Sequence, residues 1–329
     1  MLPSAAMRAL VTGAAGFLGT ALVRHLSARG DRVRALVRGP APALEALPHV
    51  DVVSGDVTSA ASLRAAVRGC AVVFHLAGVR RATDPAEFLR VNAGSTRLAL
   101  DACLAEAPGL GRFVLAGSIA AAGPSRTPRR EDEPLEPIEP YGASKAEAER
   151  IAFSFADRLP VSVARPPRIM GPGDRENLFF FRLARAGVAI GFRGAPRPLS
   201  WIDVDDCARG LVALAQRPEA VGQAFFLASP ETTDALSIQL EAARALGARV
   251  RAVHLPPLAV RGAAAVAELV THLTGRRLPL NRKLAAQVLA PGWVCDPGKA
   301  RERLGFEAPT PLAESIARAV AWYRARGWL

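Results

Sequence analysis

Tyrosine and lysine are scarce in this chain, and one of each stands at Tyr141 and Lys145. Of 42 basic residues only Lys145, Lys283 and Lys299 are lysine; the rest are arginine. Where any cation would serve, this sequence writes arginine. A lysine kept four residues after one of two tyrosines points to a need for the ammonium itself. On a helix, positions i and i+4 share a face, about 5–6 Å apart at Cβ. A free phenol has a pKa of about 10 and is a poor acid–base group at neutral pH. A nearby ammonium favours the phenolate and pulls that pKa down. Such a phenol can exchange a proton with an alcohol or ketone. The competing reading is a surface helix on which the two residues coincide.

A second pattern is the run Thr12-Gly13-Ala14-Ala15-Gly16-Phe17-Leu18-Gly19. It follows an apolar run and opens a helical one. Gly13 permits a tight turn, Gly16 lets a pyrophosphate approach the backbone, and Gly19 allows close helix packing. The anion would rest on the unpaired N–H groups of the helix N-terminus. The end of the second strand reports on the cofactor: an acid there binds the ribose hydroxyls of NAD, an arginine the 2′-phosphate of NADP. The chain reads Val33-Arg34-Ala35-Leu36-Val37-Arg38, with no acid at the strand end. Arg38 therefore favours NADP(H). If Arg38 only stacks on adenine, NAD(H) binds as well. Asp56-Val57, after the third strand, is placed to contact the adenine.

These residues need a scaffold that gathers distant strand ends. Apolar runs at 8–12, 32–37, 50–53, 71–75, 112–116 and 161–164 read as buried parallel strands. Helical patterns at 17–26, 60–67, 86–105 and 141–157 alternate with them. That alternation predicts an α/β fold with right-handed crossovers and a doubly wound parallel sheet. Beyond Pro166, proline and glycine clusters break the rhythm. Residues 1–168 are expected to form the dinucleotide-binding domain, with 207–228 returning to it through a last strand near 223–227. Residues 169–206 and 229–329 would form a smaller, mostly helical substrate lobe. The Pro-rich stretch 123–140 is expected to be ordered only in part. The stretch 256–273 is amphipathic enough to touch a membrane surface, though a helix packed on the lobe is the favoured expectation.

Bulk properties narrow the class. There is no run of about 20 apolar residues, so no transmembrane helix is expected. The first seven residues carry neither a basic n-region nor an apolar h-region, so no signal peptide is expected, and Met7 is a second candidate start. The four cysteines form no Cys-x-x-Cys pair and read as buried thiols in a reducing cytosol. The histidines show no metal spacing. A net charge of +12 admits nucleic acid as a partner. The arginines are spread along the chain, however, with adjacent pairs only at Arg80-Arg81, Arg129-Arg130 and Arg276-Arg277 and no aromatic interleaving. A solvated arginine-rich surface is expected, and no nucleic-acid binding.

Together the motifs resemble the extended short-chain dehydrogenase/reductase family, in its epimerase/dehydratase-like branch, over nearly the whole chain. Thr12 to Gly19 resembles the family's glycine motif on a Rossmann-type sheet. His75-Leu76-Ala77-Gly78 resembles its fourth-strand motif, and Val91-Asn92-Ala93-Gly94-Ser95-Thr96 the helix motif that follows. Gly117-Ser118, then Tyr141-Gly142-Ala143-Ser144-Lys145, resembles the catalytic Ser, Tyr and Lys. Arg165-Pro166-Pro167 with Gly171-Pro172-Gly173, and Trp201-Ile202-Asp203-Val204-Asp205-Asp206, match two later landmarks. The resemblance implies that Ser118 binds the substrate oxygen, Tyr141 transfers the proton, and Lys145 holds the nicotinamide ribose. It places Leu76, Ala77, Gly78, Asn92 and Pro166 along the cofactor. It also implies a homodimer, paired through the helices after Glu87 and after Tyr141.

Two departures separate the branches. Nucleotide-sugar epimerases and dehydratases usually carry Asn where this chain has Arg168, and a diphosphate-binding Arg where it has Leu199. Losing that Arg removes a charge-assisted contact, unless Arg168, Arg193 or Arg197 replaces it. The form Arg165-Pro-Pro-x-x-x-Gly-Pro-Gly-Asp174 and the ending 293–329 are more similar to 3-beta-hydroxysteroid dehydrogenases and dihydroflavonol reductases, which act on apolar alcohols and ketones. The expected activity is hydride transfer between NADP(H) and such a small molecule. The alternatives are a nucleotide-sugar epimerase or dehydratase with recycled cofactor, and a non-catalytic dinucleotide sensor, which would need neither Tyr141 nor Lys145.

Overall fold

The computed structural model describes residues 7–82, 84–274 and 280–329. The Met1 start and the Arg276-Arg277 pair lie outside them. Seven parallel strands form the main sheet: β1 (Arg8–Thr12), β2 (Arg32–Val37), β3 (Val50–Ser54), β4 (Val72–His75), β5 (Arg112–Ala116), β6 (Val161–Ala164) and β7 (Gln223–Phe225). Their order is β7-β6-β5-β4-β1-β2-β3, every pairing parallel. The winding reverses between β1 and β4. In such sheets the crevice outside the carboxyl ends of those two strands is the binding place.

The strands are continuous apolar runs because both faces are covered. Helices α1 (Phe17–Ala28), α2 (Ala60–Val67), α3 (Ser95–Glu106), α4 (Pro140–Phe153) and α5 (Val204–Gln216) supply the cover. Leu22 and Leu26 of α1 join Leu211 of α5 in the core on one side. Leu63 of α2, Leu100 of α3 and Ile151 of α4 build the other. The expected single helix over 86–105 is interrupted. A short helix Pro85–Phe88 passes into a π-helical turn, Leu89–Gly94, before α3 begins. Wider turns of this kind often mark functional positions, and this one carries the buried Asn92.

The stretch 123–140 is more ordered than its composition suggests. It contains strand Ser125–Arg129, which runs parallel to Trp293–Cys295. Arg129 ties the stretch together by donating to the carbonyls of Ala122 and Pro134.

The remaining residues add helices and small strands. Leu199–Asp203 pairs with Arg168–Met170, and Val188–Phe192 with Arg251–Leu255. These strands are 3–5 residues long, too short for an alternating pattern to show in sequence. Their core gathers Trp201, Phe181 and Tyr323. At the rim lie α6 (Pro257–Thr274) and α7 (Arg282–Val288). Only Val260, Ala264 and Ala267 of α6 are buried, so the expected packing holds for one face.

Tyr323, the second tyrosine, is buried and its hydroxyl donates to the Asp174 carbonyl at 2.5 Å. Tyr323→Phe removes that donor and leaves the carbonyl unpaired, at a cost of about 1–3 kcal/mol. A urea unfolding midpoint should fall accordingly, while dinucleotide binding stays unchanged.

Candidate active site

The glycine turn sits where β1 meets α1. Gly13 has φ +68°, and a Cβ there would lie 2.8 Å from the Ala77 nitrogen. The turn therefore lies flush on the strand end after β4. A Cβ on Gly19 would sit 2.1 Å from the Gly13 carbonyl, so Gly19 lets the helix close onto its own loop. Gly16 caps α1 with no side-chain hydrogen bond. Its first N–H groups thus face a cradle shaped for an anion. Phe17 and Leu18, at the start of α1, pack against the core beneath. The residues present fit a dinucleotide's pyrophosphate.

Beneath the turn, Thr12 Oγ1 and His75 Nδ1 are 3.0 Å apart, and His75 Nε2 lies 3.0 Å from Ser95 Oγ. The Ala77 N–H donates to Thr12 Oγ1 at 3.3 Å. Burial, helped by Lys145, drives the His75 pKa down to about 3. A neutral imidazole thus ties β1, β4 and α3 together.

At the edge of the cradle Arg38 is exposed. Asp56 accepts the N–H and hydroxyl of Thr58, both at 2.8 Å. Those bonds, with Arg38 nearby, hold its carboxyl below the usual carboxylate range. Val57 packs partly buried against the core. Arg38 acts on Asp56 electrostatically, and no hydrogen bond joins the two.

Tyr141, Lys145 and Ser118 come together through α4 and the end of β5. The Glu139 carboxylate caps α4, accepting from the Tyr141 N–H at 3.0 Å and the Gly142 N–H at 2.8 Å. A Cβ on Gly142 would lie 2.3 Å from the Ala120 carbonyl, so glycine lets the helix start press against the short helix Ile119–Ala122. Ser118 caps that short helix, its Oγ accepting from the Ala120 N–H at 3.1 Å, and it lies near enough to the Tyr141 phenol to pull its pKa down. The Ile119 N–H donates to the Pro166 carbonyl at 3.0 Å, fixing the buried Pro166 under Ser118.

Lys145 is buried and donates to the Ala116 carbonyl at 2.7 Å. Burial and then Arg80 lower its pKa to about 8. The expectation that Lys145 depresses the Tyr141 pKa is not met. Burial dominates and leaves the Tyr141 pKa raised; the opposing cation is Arg80, and Ser118 adds a smaller downward pull. Lys145 reaches down to the strand end instead, whereas Arg80 has its guanidinium carbon 5.7 Å from the centre of the Tyr141 ring. Sequence reading missed Arg80, although it follows Gly78 by two residues.

Asn92 is buried on the π-helical turn. Its Oδ1 accepts from Val79 N–H at 2.7 Å, and its Nδ2 donates to the Val79 carbonyl at 3.0 Å and to Ser144 Oγ at 2.8 Å. Ser144 in turn donates to the Tyr141 carbonyl at 2.7 Å. Both side-chain polar atoms of Asn92 thus have protein partners. Gly78 lies beside it, where a Cβ would sit 2.8 Å from Asn92 Oδ1 and 3.5 Å from Lys145 Nζ. Leu76 packs partly buried beneath.

A buried ion pair supports α4 from behind. Arg165 donates to both Glu149 oxygens, at 3.0 and 2.5 Å, and to the Glu131 carbonyl at 3.2 Å. Arg168 bonds Asn177, and its Nε is buried without a partner. Burial and then Arg80 lower the Arg168 pKa. Leu199 lies in the lobe core and presents no cation there. Arg197 donates to its own loop carbonyls, Arg193 and Ala195. No metal-ligand cluster exists among the described residues.

Comparison with known proteins follows the same lines. The sequence profile of the NAD dependent epimerase/dehydratase family matches residues 9–228. The chain is 33% identical to a ceramide reductase of Caulobacter vibrioides, over 97% of this chain and 95% of that one. It is 30% identical to a 2-alkyl-3-oxoalkanoate reductase of Stenotrophomonas maltophilia, over 95% and 98%. A solved structure, MoeE5 in complex with UDP-glucuronic acid and NAD, superposes with a TM-score of 0.78 at 26% identity, covering 97% of this chain and 99% of that one.

Removing one partner of the Arg165–Glu149 pair strands a buried charge. Glu149→Ala should cost about 3–5 kcal/mol, and the double change Glu149→Leu with Arg165→Met should recover most of it. Thermal unfolding of the three proteins measures this.

Proposed function

The chain belongs to the NAD dependent epimerase/dehydratase family and is an enzyme of its extended short-chain dehydrogenase type, and from that premise we propose that it is a ketone reductase. Its substrate is an apolar molecule bearing an oxo group, its product the secondary alcohol, and its preferred cofactor NADPH. The observation that carries this reading is the meeting of Ser118, Tyr141 and Lys145 at the end of β5. Both relatives are named reductases, and the name of the second gives its substrate an oxo group and an alkyl chain. Leu199 supports it from the other side, since a nucleotide-sugar diphosphate would lose a cation there.

The bound nicotinamide supplies the hydride. Every other task falls to the chain. The Gly13–Gly19 turn and the α1 N-terminus hold the pyrophosphate, Arg38 binds the 2′-phosphate, and Lys145 holds the nicotinamide ribose. Ser118 Oγ donates to the substrate oxygen and aligns it with Tyr141. Because burial keeps the Tyr141 phenol protonated at neutral pH, it stands ready as the general acid that protonates the nascent alkoxide. Arg80 opposes the negative charge that the proton transfer leaves on the Tyr141 oxygen. Arg168, with its free Nε, offers a donor to a polar group on the substrate. We further propose that α3 and α4 pair in a homodimer.

Tyr141→Phe tests the assignment. Reduction should fall by about 10²–10⁴-fold, while NADPH fluorescence enhancement on binding stays intact; full turnover would refute the role. Lys145 carries its charge below a pKa of about 8 and loses it above. The kcat/KM for reduction should therefore decline as pH rises through that value; a profile that stays flat across it would count against Lys145.

A further inference from the structure

Helix α6 is apolar on two sides. Val260, Ala264 and Ala267 are buried, and Val260 and Ala264 pack with Ala285 of α7. On another side Leu258 is 78% exposed, Val266 61%, Leu269 57% and Leu273 74%. At 3.6 residues per turn these four positions fall within one strip of about 80°, separate from the buried side. Arg261, Glu268 and His272 lie between the two apolar strips along a third. Burying leucine and valine side chains is favourable, so four exposed along one strip mark a face that something covers. On the adjoining α7, Leu284 and Val288 are exposed as well.

The charges around this face say what covers it. On α6 and α7 themselves the exposed cations are Arg261, Arg282 and Lys283, against Glu268 as the one carboxylate of the two helices. Glu268 is itself paired with Arg282 at 3.2 Å. An apolar strip rimmed by cations fits a bilayer whose headgroups are anionic. No helix among the described residues is long and apolar enough to cross a membrane, so α6 would lie in the interface. Behind it opens a cavity of about 510 Å³ lined by Arg261, Ala264, Arg282, Leu289, Pro124 and Ile138 among others. Ile138 immediately precedes Glu139, the cap of α4 in front of Tyr141.

We propose that α6 and α7 dock this protein on an anionic phospholipid surface, with the strip from Leu258 to Leu273 seated among the headgroups. The cavity behind then admits the apolar part of a substrate drawn from the bilayer. That last step rests on the ketone reductase reading; the docking itself does not.

Co-sedimentation with vesicles tests the docking without any turnover. The protein should pellet with phosphatidylcholine vesicles containing phosphatidylglycerol, and about tenfold less with phosphatidylcholine alone or in high salt. Leu269→Glu with Leu273→Glu should lose binding by at least about tenfold while NADPH binding and the unfolding midpoint hold, since both sites are exposed. Equal pelleting with both vesicles, none with either, or an unaffected variant would overturn the proposal. So would a wild-type dimer that the variant converts to monomer, which would assign the strip to a second copy. A failed ketone assay beside positive pelleting would indict the reductase reading alone.

Discussion

A buried ammonium must find an acceptor, and Lys145 finds one in the Ala116 carbonyl at the end of β5. The geometry around the crevice depends on that bond. It holds α4 against the sheet at the height where the strand ends, and Tyr141 comes with it one turn earlier. The remaining contacts refine the placement. Gly142 removes the side chain that would push α4 off Ala120, and Glu139 pairs the first N–H groups. The Arg165–Glu149 pair ties the middle of the helix to the strand beyond. Isolated buried ion pairs contribute little net stability; here the fork-on-fork geometry fixes orientation. Arginine does this well because its donors are planar and rigid.

Three cations converge on the same crevice: Lys145, Arg80 and Arg168. Burial and then Arg80 lower the pKa of both Lys145 and Arg168. Such an arrangement destabilises the empty protein and suits a site that meets negative charge. The pyrophosphate and a developing alkoxide are both of that kind. The raised phenol at Tyr141 belongs to the same economy of charge: protonated at rest, it is suited to giving its proton to an alkoxide.

The parallel strands were legible because each is a short apolar run, most of them ending near glycine or proline, and 8–12, 32–37, 112–116 and 161–164 match the observed strands residue for residue. Spacing alone also brought Tyr141 and Lys145 to one helix face. Other features lay beyond reach because they depend on contacts between distant segments. Arg80 acts on Tyr141 from a loop 61 positions earlier, and its place just after Gly78 does not say which side chain it will meet. Asn92 turns inward because the π-helical turn aims it at Val79 and Ser144. Strand Ser125–Arg129 was hidden by prolines and charges, since its partner, Trp293–Cys295, is more than 160 positions away. The outward apolar strip of α6 reads in sequence as part of an ordinary amphipathic helix; only its exposure separates the strip from the packed side.

The central claim is that this crevice reduces a ketone rather than remodelling a nucleotide sugar. Oxidation of NADPH and NADH by the purified protein, with product identification, tests it most directly, using a long-chain 3-oxo amide in one arm and UDP-glucose in the other. The account predicts NADPH oxidation matched mole for mole by a secondary alcohol in the first arm, and nothing in the second. Conversion of the sugar nucleotide without net oxidation of cofactor would contradict it.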